Sequence, residues 1–432
     1  MRFGLIYHHQ LPRPWAEDSE ERLYSEALEQ IELADRLGLD YAWATEHHFF
    51  EEYSHSSAPE VFLAAAAART KNIRLAHGIV HMPPAVNHPA RIAERLGVLD
   101  LISGGRLDFG SGQGSSQLEV GAFGIELKDK YEQWHEALEV VVRMMTETPF
   151  TGHEGTWVKM PPRNVVPKPR QKPHPPLWRA CTRRDSIQDA AREGMGALAF
   201  SFVNPEEAKE WVDAYYGTLA SPECRPLGRA VNANVAMVLP FMCHEDEEVA
   251  LDRGLEAAHF FSYSLMHYYM TGEHRPGVTD IWAEFQAAKE SLGFTRTPAA
   301  PAADDEQSGV EQAMMDQVGM LRRGIGTPDQ IRDIIRRYEA VGVDQIIFSV
   351  QIGKNRHEHI LESLELFARE VMPEFVEGRD RKEAEKAERL SVPIKEALGR
   401  VEHRTADVSE FSIAPELSLP GYQDDDDDDD DD

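Results

Sequence analysis

Three short stretches early in the chain carry imidazoles: Tyr7-His8-His9, Glu46-His47-His48-Phe49-Phe50, and His77-Gly78 with His81. Neutral imidazole takes up and returns protons near neutral pH and is also a common ligand for zinc or iron. The spacing argues against metal. No clearly spaced ligand pair occurs, and ligating carboxylates are absent from the later strand ends, so no metal site is expected. Each histidine also reads as a polar wall or a hydrogen-bonded interior group. Of the pair His47 and His48, only one faces a given cavity if the backbone is extended. A second chemistry lies further on. Gly110, Gly112 and Gly114, within Gly110-Ser111-Gly112-Gln113-Gly114-Ser115-Ser116, let backbone approach a flat or anionic group. Thr182-Arg183-Arg184-Asp185-Ser186 sets hydroxyls, a guanidinium and free N–H groups at a helix start, which suits a phosphate. The plainer alternatives are a turn for the glycines and a helix cap for Thr182.

Alternating elements would position these groups. Apolar strands are predicted over Arg2–Tyr7, Tyr41–Thr45, Arg74–Val80, Arg106–Gly110, Leu177–Ala180, Ala197–Phe202, Asn232–Leu239 and Gln345–Val350. Helical periodicity follows each: Tyr24–Leu37, Pro59–Thr70, Pro89–Ile102, Lys130–Thr146, Arg184–Glu193, Pro205–Leu219, Pro328–Val341 and Arg356–Val371. Strand–helix alternation implies a parallel sheet, and eight repeats close most economically as a (β/α)8 TIM barrel, with a doubly wound open sheet as the alternative. In a closed barrel, all the histidines and both anion-binding loops fall at strand ends. A Pro/Lys/Arg-rich excursion interrupts the rhythm over Phe150–Pro176, and a mostly helical insertion occupies about 245–325, before the eighth strand. The barrel domain is thus 1–375, followed by a charged extension over 376–432. Its end, Asp424–Asp432, repels itself and reads as a disordered acidic tail.

The 432 residues carry a formal charge of −30, of which the terminal nine aspartates supply −9. Such a field disfavours nucleic-acid and anionic-membrane partners. No apolar run is long enough to span a bilayer, the N-terminus lacks signal-peptide character, and Cys181, Cys224 and Cys243 form no paired motif. A cytoplasmic protein without disulfides is expected.

At these positions the chain resembles bacterial luciferase and the luciferase-like flavin monooxygenases. The likeness rests on Tyr41-Ala42-Trp43-Ala44-Thr45-Glu46-His47-His48-Phe49 and Asn87-His88-Pro89-Ala90-Arg91-Ile92-Ala93-Glu94. It continues through Leu99-Asp100-Leu101-Ile102-Ser103-Gly104-Gly105-Arg106-Leu107-Asp108-Phe109-Gly110-Ser111-Gly112 and Gly342-Val343-Asp344-Gln345-Ile346-Ile347-Phe348. The resemblance implies reduced FMN supplied by a partner flavin reductase, O₂ as co-substrate, and oxygenation of a small organic substrate through a C4a-peroxyflavin. It places His47 at the catalytic histidine position. It assigns the cofactor to Gln113, Thr182, Arg183 and Ser186, with Ser201 counted among the same residues, and to a non-proline cis peptide expected at His77–Gly78. It also implies a homodimer through early barrel helices, where Ala64–Ala68 offers a smooth face.

There are departures. Gly112 stands where luciferase has a reactive cysteine, and Thr182-Arg183 stand where it has an acid and a hydroxyl. That added charge suits FMN and equally the deazaflavin F420, so an F420-dependent hydride-transferring oxidoreductase remains an alternative, as does a non-catalytic luciferase-like subunit. For the substrate pocket, His8, Phe49, Phe202, Phe261 and Tyr268 are expected as walls, implying an apolar or aromatic substrate. The run Phe260–Met270 reads either as a lid over that pocket or as a buried helix on the barrel.

Overall fold

The computed structural model describes residues 1–114, 116–200, 203–295, 321–401 and 406–413. Eight parallel strands form the centre: β1 (Arg2–Tyr7), β2 (Tyr41–Ala44), β3 (Arg74–His77), β4 (Leu107–Gly112), β5 (Leu177–Cys181), β6 (Gly196–Ala199), β7 (Val235–Pro240) and β8 (Gln345–Ser349). Consecutive strands pair as neighbours from β1 to β8, and β8 returns to β1 with Arg2 opposite Gln345, so the sheet closes. The result is a (β/α)8 barrel, as the alternation implied, and the open sheet is excluded. Nearly every strand residue is buried, because the strands meet side chains inside the barrel and helices outside it.

The interior is packed. Trp43 and Trp178 meet edge to face at 5.2 Å, and the Trp178 indole donates to Asp108 at 2.7 Å. Asp108 also accepts from Arg74 at 2.6 Å, which neutralises the lower layer of the barrel. Trp43 therefore fills the core and is no cavity wall. Outside run α1 (Ser19–Leu37), α2 (Pro59–Arg69), α3 (Pro89–Ile102), α4 (Lys130–Thr146), α5 (Arg184–Arg192) and α6 (Pro205–Leu219). Their ends follow local chemistry: Gly38 closes α1 at φ +87°, and Pro205 starts α6 behind an Asn204 cap.

The insertion contains α7 (Glu247–Met266), a π-helical turn (His267–Thr271) and α8 (Ile281–Ala288), after which α9 (Pro328–Ala340) resumes the barrel. It lies across the strands' carboxyl ends. Buried Glu52, beyond β2, fastens it there by accepting from the backbone N–H groups of Ile281 and Trp282 at 2.6 and 3.1 Å. After α10 (His357–Glu370), α11 (Arg379–Gly399) crosses the opposite end, where Glu383 binds Arg2 and Arg379 binds Asp40. No helix among the described residues is long and apolar enough to cross a membrane. The acidic tail, Ser201 and Phe202 lie outside the described residues.

Candidate active site

The carboxyl ends of the strands surround a cavity of about 440 Å³, a size typical of small-molecule sites. Its two ends differ in charge.

One end is basic. Gln113 follows β4, Thr182 and Arg183 follow β5, and Lys130 opens α4; all four line the cavity. The Lys130 ammonium donates to the Gly114 carbonyl at 3.0 Å. Burial, with Arg183 nearby, holds its pKa below the usual lysine range. Among the described residues, neither Lys130 nor Arg183 meets a carboxylate within ion-pair distance. Arg179 is different: it binds Glu193 at 2.9 Å and lies 4.5 Å over Trp134. The unspent charge at this end therefore belongs to Lys130 and Arg183. Ser186 plays a different part from the one expected. Its hydroxyl donates to the Arg183 carbonyl at 2.6 Å and accepts from the Thr182 and Arg183 N–H groups at 3.2 and 3.1 Å. It folds the turn instead of lining the cavity, and it consumes two N–H groups assigned to the anion.

The other end carries the imidazoles and a carboxylate. Glu119 sits on a one-turn helix, Gln117–Val120, capped by Ser116. Its Oε1 lies 3.2 Å from His47 Nδ1 and 3.5 Å from His81 Nε2, and accepts from the His48 N–H at 2.9 Å. Burial alone would raise the Glu119 pKa, but His81 and His47 hold it below the usual range. An ionised carboxylate only accepts, so in the neutral form of His47 the proton sits on Nδ1 and Nε2 is left as an acceptor. His48 points away, to Glu46 at 3.0 Å, so only one of the adjacent pair faces the cavity. Burial lowers the pKa of His48, yet Glu46 more than compensates and raises it overall. Burial lowers the pKa of both His81 and His8; among the described residues, neither ring nitrogen of His8 has a hydrogen-bond partner. The expectation that later strand ends bring no carboxylate is therefore corrected: Glu119 brings one. His47, His81 and Glu119 place one donor atom each within 4.8 Å of the others.

Between these ends the wall is apolar. Tyr53 stacks on Phe261 at 5.4 Å, and His8 lies 4.9 Å from the same ring. Two expected wall residues lie elsewhere. Phe49 adopts φ +66°, which turns its ring outward against Phe123 and leaves it 54% exposed. Tyr268 packs one layer back, on Phe50 at 4.6 Å, while Tyr269 reaches the cavity. The cis peptide is Gly78–Ile79, one bond later than expected, and Ile79 and Gly78 line the cavity. The His77 side chain is not in that lining. It lies edge-on to Phe109, with burial lowering its pKa to about 4. The glycines also have another cause. A Cβ at Gly110 would stand 2.0 Å from the His77 carbonyl, and one at Gly112 would stand 2.6 Å from Ile79 Cδ1. Close packing of neighbouring strands dictates them.

A model of the luciferase-like monooxygenase family matches residues 1–345. The chain belongs to the luciferase-like monooxygenase family. It is 25% identical over 389 residues to the oxygenase component of flavin-dependent trigonelline monooxygenase from Acinetobacter baylyi, covering 89% of this chain and 98% of that protein. Among solved structures it is similar to the monooxygenase RslO1 from Streptomyces bottropensis, with a TM-score of 0.66, 27% identity, and coverage of 87% and 100%. It also shares the fold of the coenzyme F420-dependent tetrahydromethanopterin reductase from Methanopyrus kandleri, with a TM-score of 0.58, 21% identity, and coverage of 87% and 99%.

Of the luciferase-like site anticipated from sequence, His47, His8, Gly78, Gln113, Thr182, Arg183 and Phe261 surround this one cavity. Sequence reasoning passed over Glu119, Lys130, Tyr53 and Trp134. A signal existed for Glu119: Ser116-Gln117-Leu118-Glu119 has the spacing of a helix-capping box, which places a carboxylate just behind the β4 loop. Lys130 and Trp134 lie one turn apart at the start of α4, so they share a face.

Proposed function

We propose that this protein is an FMN-dependent monooxygenase that uses reduced FMN from a separate flavin reductase to insert one atom of O₂ into a small, apolar or aromatic substrate. The observation that carries this reading is the charge arrangement of one cavity: two unpaired cations at one end, and an imidazole with a bare Nε2 at the other. The residues present fit the cofactor. Lys130 and Arg183, with Thr182 and Gln113, would hold its phosphate, and Gly78 and Ile79 would lie along the ring system. Reduced FMN, when bound, supplies the electrons for O₂ activation. The chain itself supplies three things. Glu119 orients His47 through Nδ1. Nε2 of His47 takes up or returns a proton at the reacting oxygen or substrate. Tyr53, Phe261 and Tyr269 exclude water and present rings to an aromatic or apolar substrate.

Replacing His47 with Ala is expected to leave FMN affinity within a few-fold of wild type while abolishing oxygenated product; turnover at the wild-type rate refutes the role of His47. A second reading, F420-dependent hydride transfer, is favoured by one observation, the doubled cation beside Thr182. Titration with FMN and F420, together with oxygen uptake, separates the two. A homodimer would bury Val61, Val98, Leu101 and Ile102, which stand exposed on α2 and α3.

A further inference from the structure

We infer that His47, His81 and Glu119 also form a binding site for a divalent transition-metal ion of the zinc type, with three protein ligands and coordination positions open to the cavity. Three observations carry it. The first is composition: two imidazoles and one carboxylate match the donor sets of open zinc and related sites. The second is spacing. Metal–ligand bonds of about 2.1 Å at tetrahedral angles put neighbouring donor atoms about 3.4 Å apart. The Glu119 Oε1 separations from His47 Nδ1 and His81 Nε2 are 3.2 and 3.5 Å, and the three donor atoms all fall within 4.8 Å. Both separations from Glu119 already stand at ligand distance, and closing the site requires only that the two imidazoles be brought to the same ion. The third is unused capacity: among the described residues, the buried Oε2 of Glu119 lacks any hydrogen-bond partner. A cation would engage a carboxylate that the fold leaves half satisfied.

The three ligands follow three consecutive strands, β2, β3 and β4, so the fold holds them rigidly while the cavity gives an ion access. The site has a chemical consequence. A metal on Nδ1 of His47 displaces that proton to Nε2, and the ring then presents a donor to the cavity where it had presented an acceptor. A metal here is therefore an inhibitor of proton uptake by His47 and no cofactor of it. The inference needs only the three side chains and is independent of the flavin reading.

The test is Co²⁺ titration of the full-length, flavin-free protein, followed by visible absorption. Millimolar Mg²⁺ is kept present throughout to occupy the oxygen-only ligands of Asp424–Asp432. Saturation at one equivalent is expected, with affinity falling at least ten-fold in both His81→Phe and Glu119→Gln. X-ray absorption of the Zn²⁺-loaded wild-type protein gives a readout that does not depend on how the variants fold, and two imidazoles in the first shell are expected. Failure to saturate, unchanged binding in both variants, or an oxygen-only shell overturns the site. Flavin binding is measured separately in metal-free buffer, so failure there bears on the monooxygenase reading alone.

Discussion

Replacing Lys130 with Met keeps the apolar stem and removes the ammonium, which makes it the cleanest probe of the basic end. Lys130 is half-buried, with no carboxylate among the described residues to share its charge, and its one resolved hydrogen bond goes to the Gly114 carbonyl. A charged hydrogen bond to a phosphate in such a place contributes roughly 1.5–3 kcal/mol. That corresponds to about 10- to 150-fold in FMN affinity. Arg183 is exposed, so water screens it, and Arg183→Met is expected to cost about 1 kcal/mol or less, no more than roughly five-fold. The assay is paired fluorescence titration with FMN and with riboflavin, which has the same ring system and no phosphate. Riboflavin affinity should stay within two- to three-fold of wild type in both variants, while the FMN preference collapses in the Lys130 variant. Equal losses for the two ligands would mean that the cavity itself had deformed. An undiminished FMN preference would place the phosphate elsewhere and refute the assignment of this end.

The crowding around the β4 glycines predicts a contrast. Gly110→Ala drives a Cβ to 2.0 Å from the His77 carbonyl, which is backbone and cannot yield, and should cost about 3 kcal/mol or more in chemical denaturation. Gly112→Ala meets only the tip of Ile79 and should cost about 1 kcal/mol, restored by adding Ile79→Val; equal costs for the two alanines would contradict the packing account. Acid should also destabilise the fold through its buried imidazoles. Burial lowers the pKa of His9 to about 3 and of His77 to about 4, whereas the unfolded chain takes up protons near pH 6.5. Their stabilisation is therefore fully present above that value and is lost progressively as pH falls toward 4. Each loses about 1.3 kcal/mol between pH 7 and 5.5, and His8 and His81, shifted the same way, add to the trend. Calorimetry in buffers of different ionisation enthalpy should show uptake of two or more protons on unfolding near pH 5.5. Uptake below one proton would refute the neutral-imidazole assignment.

The barrel was legible because its signal is repeated. Each strand is a short apolar run followed by a helix, and errors of up to three residues at the ends, such as Thr45 or Val80, leave the strand order untouched. The site was legible only where side chains sit on or next to a strand. His8 and Arg183 follow their strands directly, so strand ends locate them. Beyond β2 the chain turns at Phe49 with a left-handed backbone, and the alternation that would send Phe49 inward no longer applies; Tyr53 lines the cavity instead, and Phe50 is buried against it. Lys130 opens a helix that periodicity marks without any sign that its first turn points at a ligand, and Glu119 sits on a single turn, Gln117–Val120, too short for periodicity and signalled only by the capping-box spacing. The Gly78–Ile79 bond was missed by one position, because nothing in a single sequence fixes which bond of a short strand end is cis.

The order of groups around the mouth follows the order of strands, which explains how one cavity keeps its two ends apart. Adjacent strands lie about 4.8 Å from each other, so groups on successive strand ends come close enough to share one cavity. His47, His81 and Glu119 follow β2, β3 and β4 and form one cluster; Thr182 and Arg183 follow β5, with Lys130 beside them on α4. Opposite charges thus meet the cavity from neighbouring sectors, and among the described residues no ion pair joins Glu119 to Lys130 or Arg183. An elongated ligand with one anionic end has a single orientation that satisfies both sectors. Much of the remaining wall comes from Tyr53 beyond β2, Phe200 beyond β6, Val238 on β7 and the insertion after β7, Phe261 and Tyr269 among it, and these side chains carry no formal charge. On the proposed function, orientation would be set by residues before Ser186, and the shape of the substrate space by the insertion. Changes in α7 should alter which substrate fits without altering where the phosphate sits.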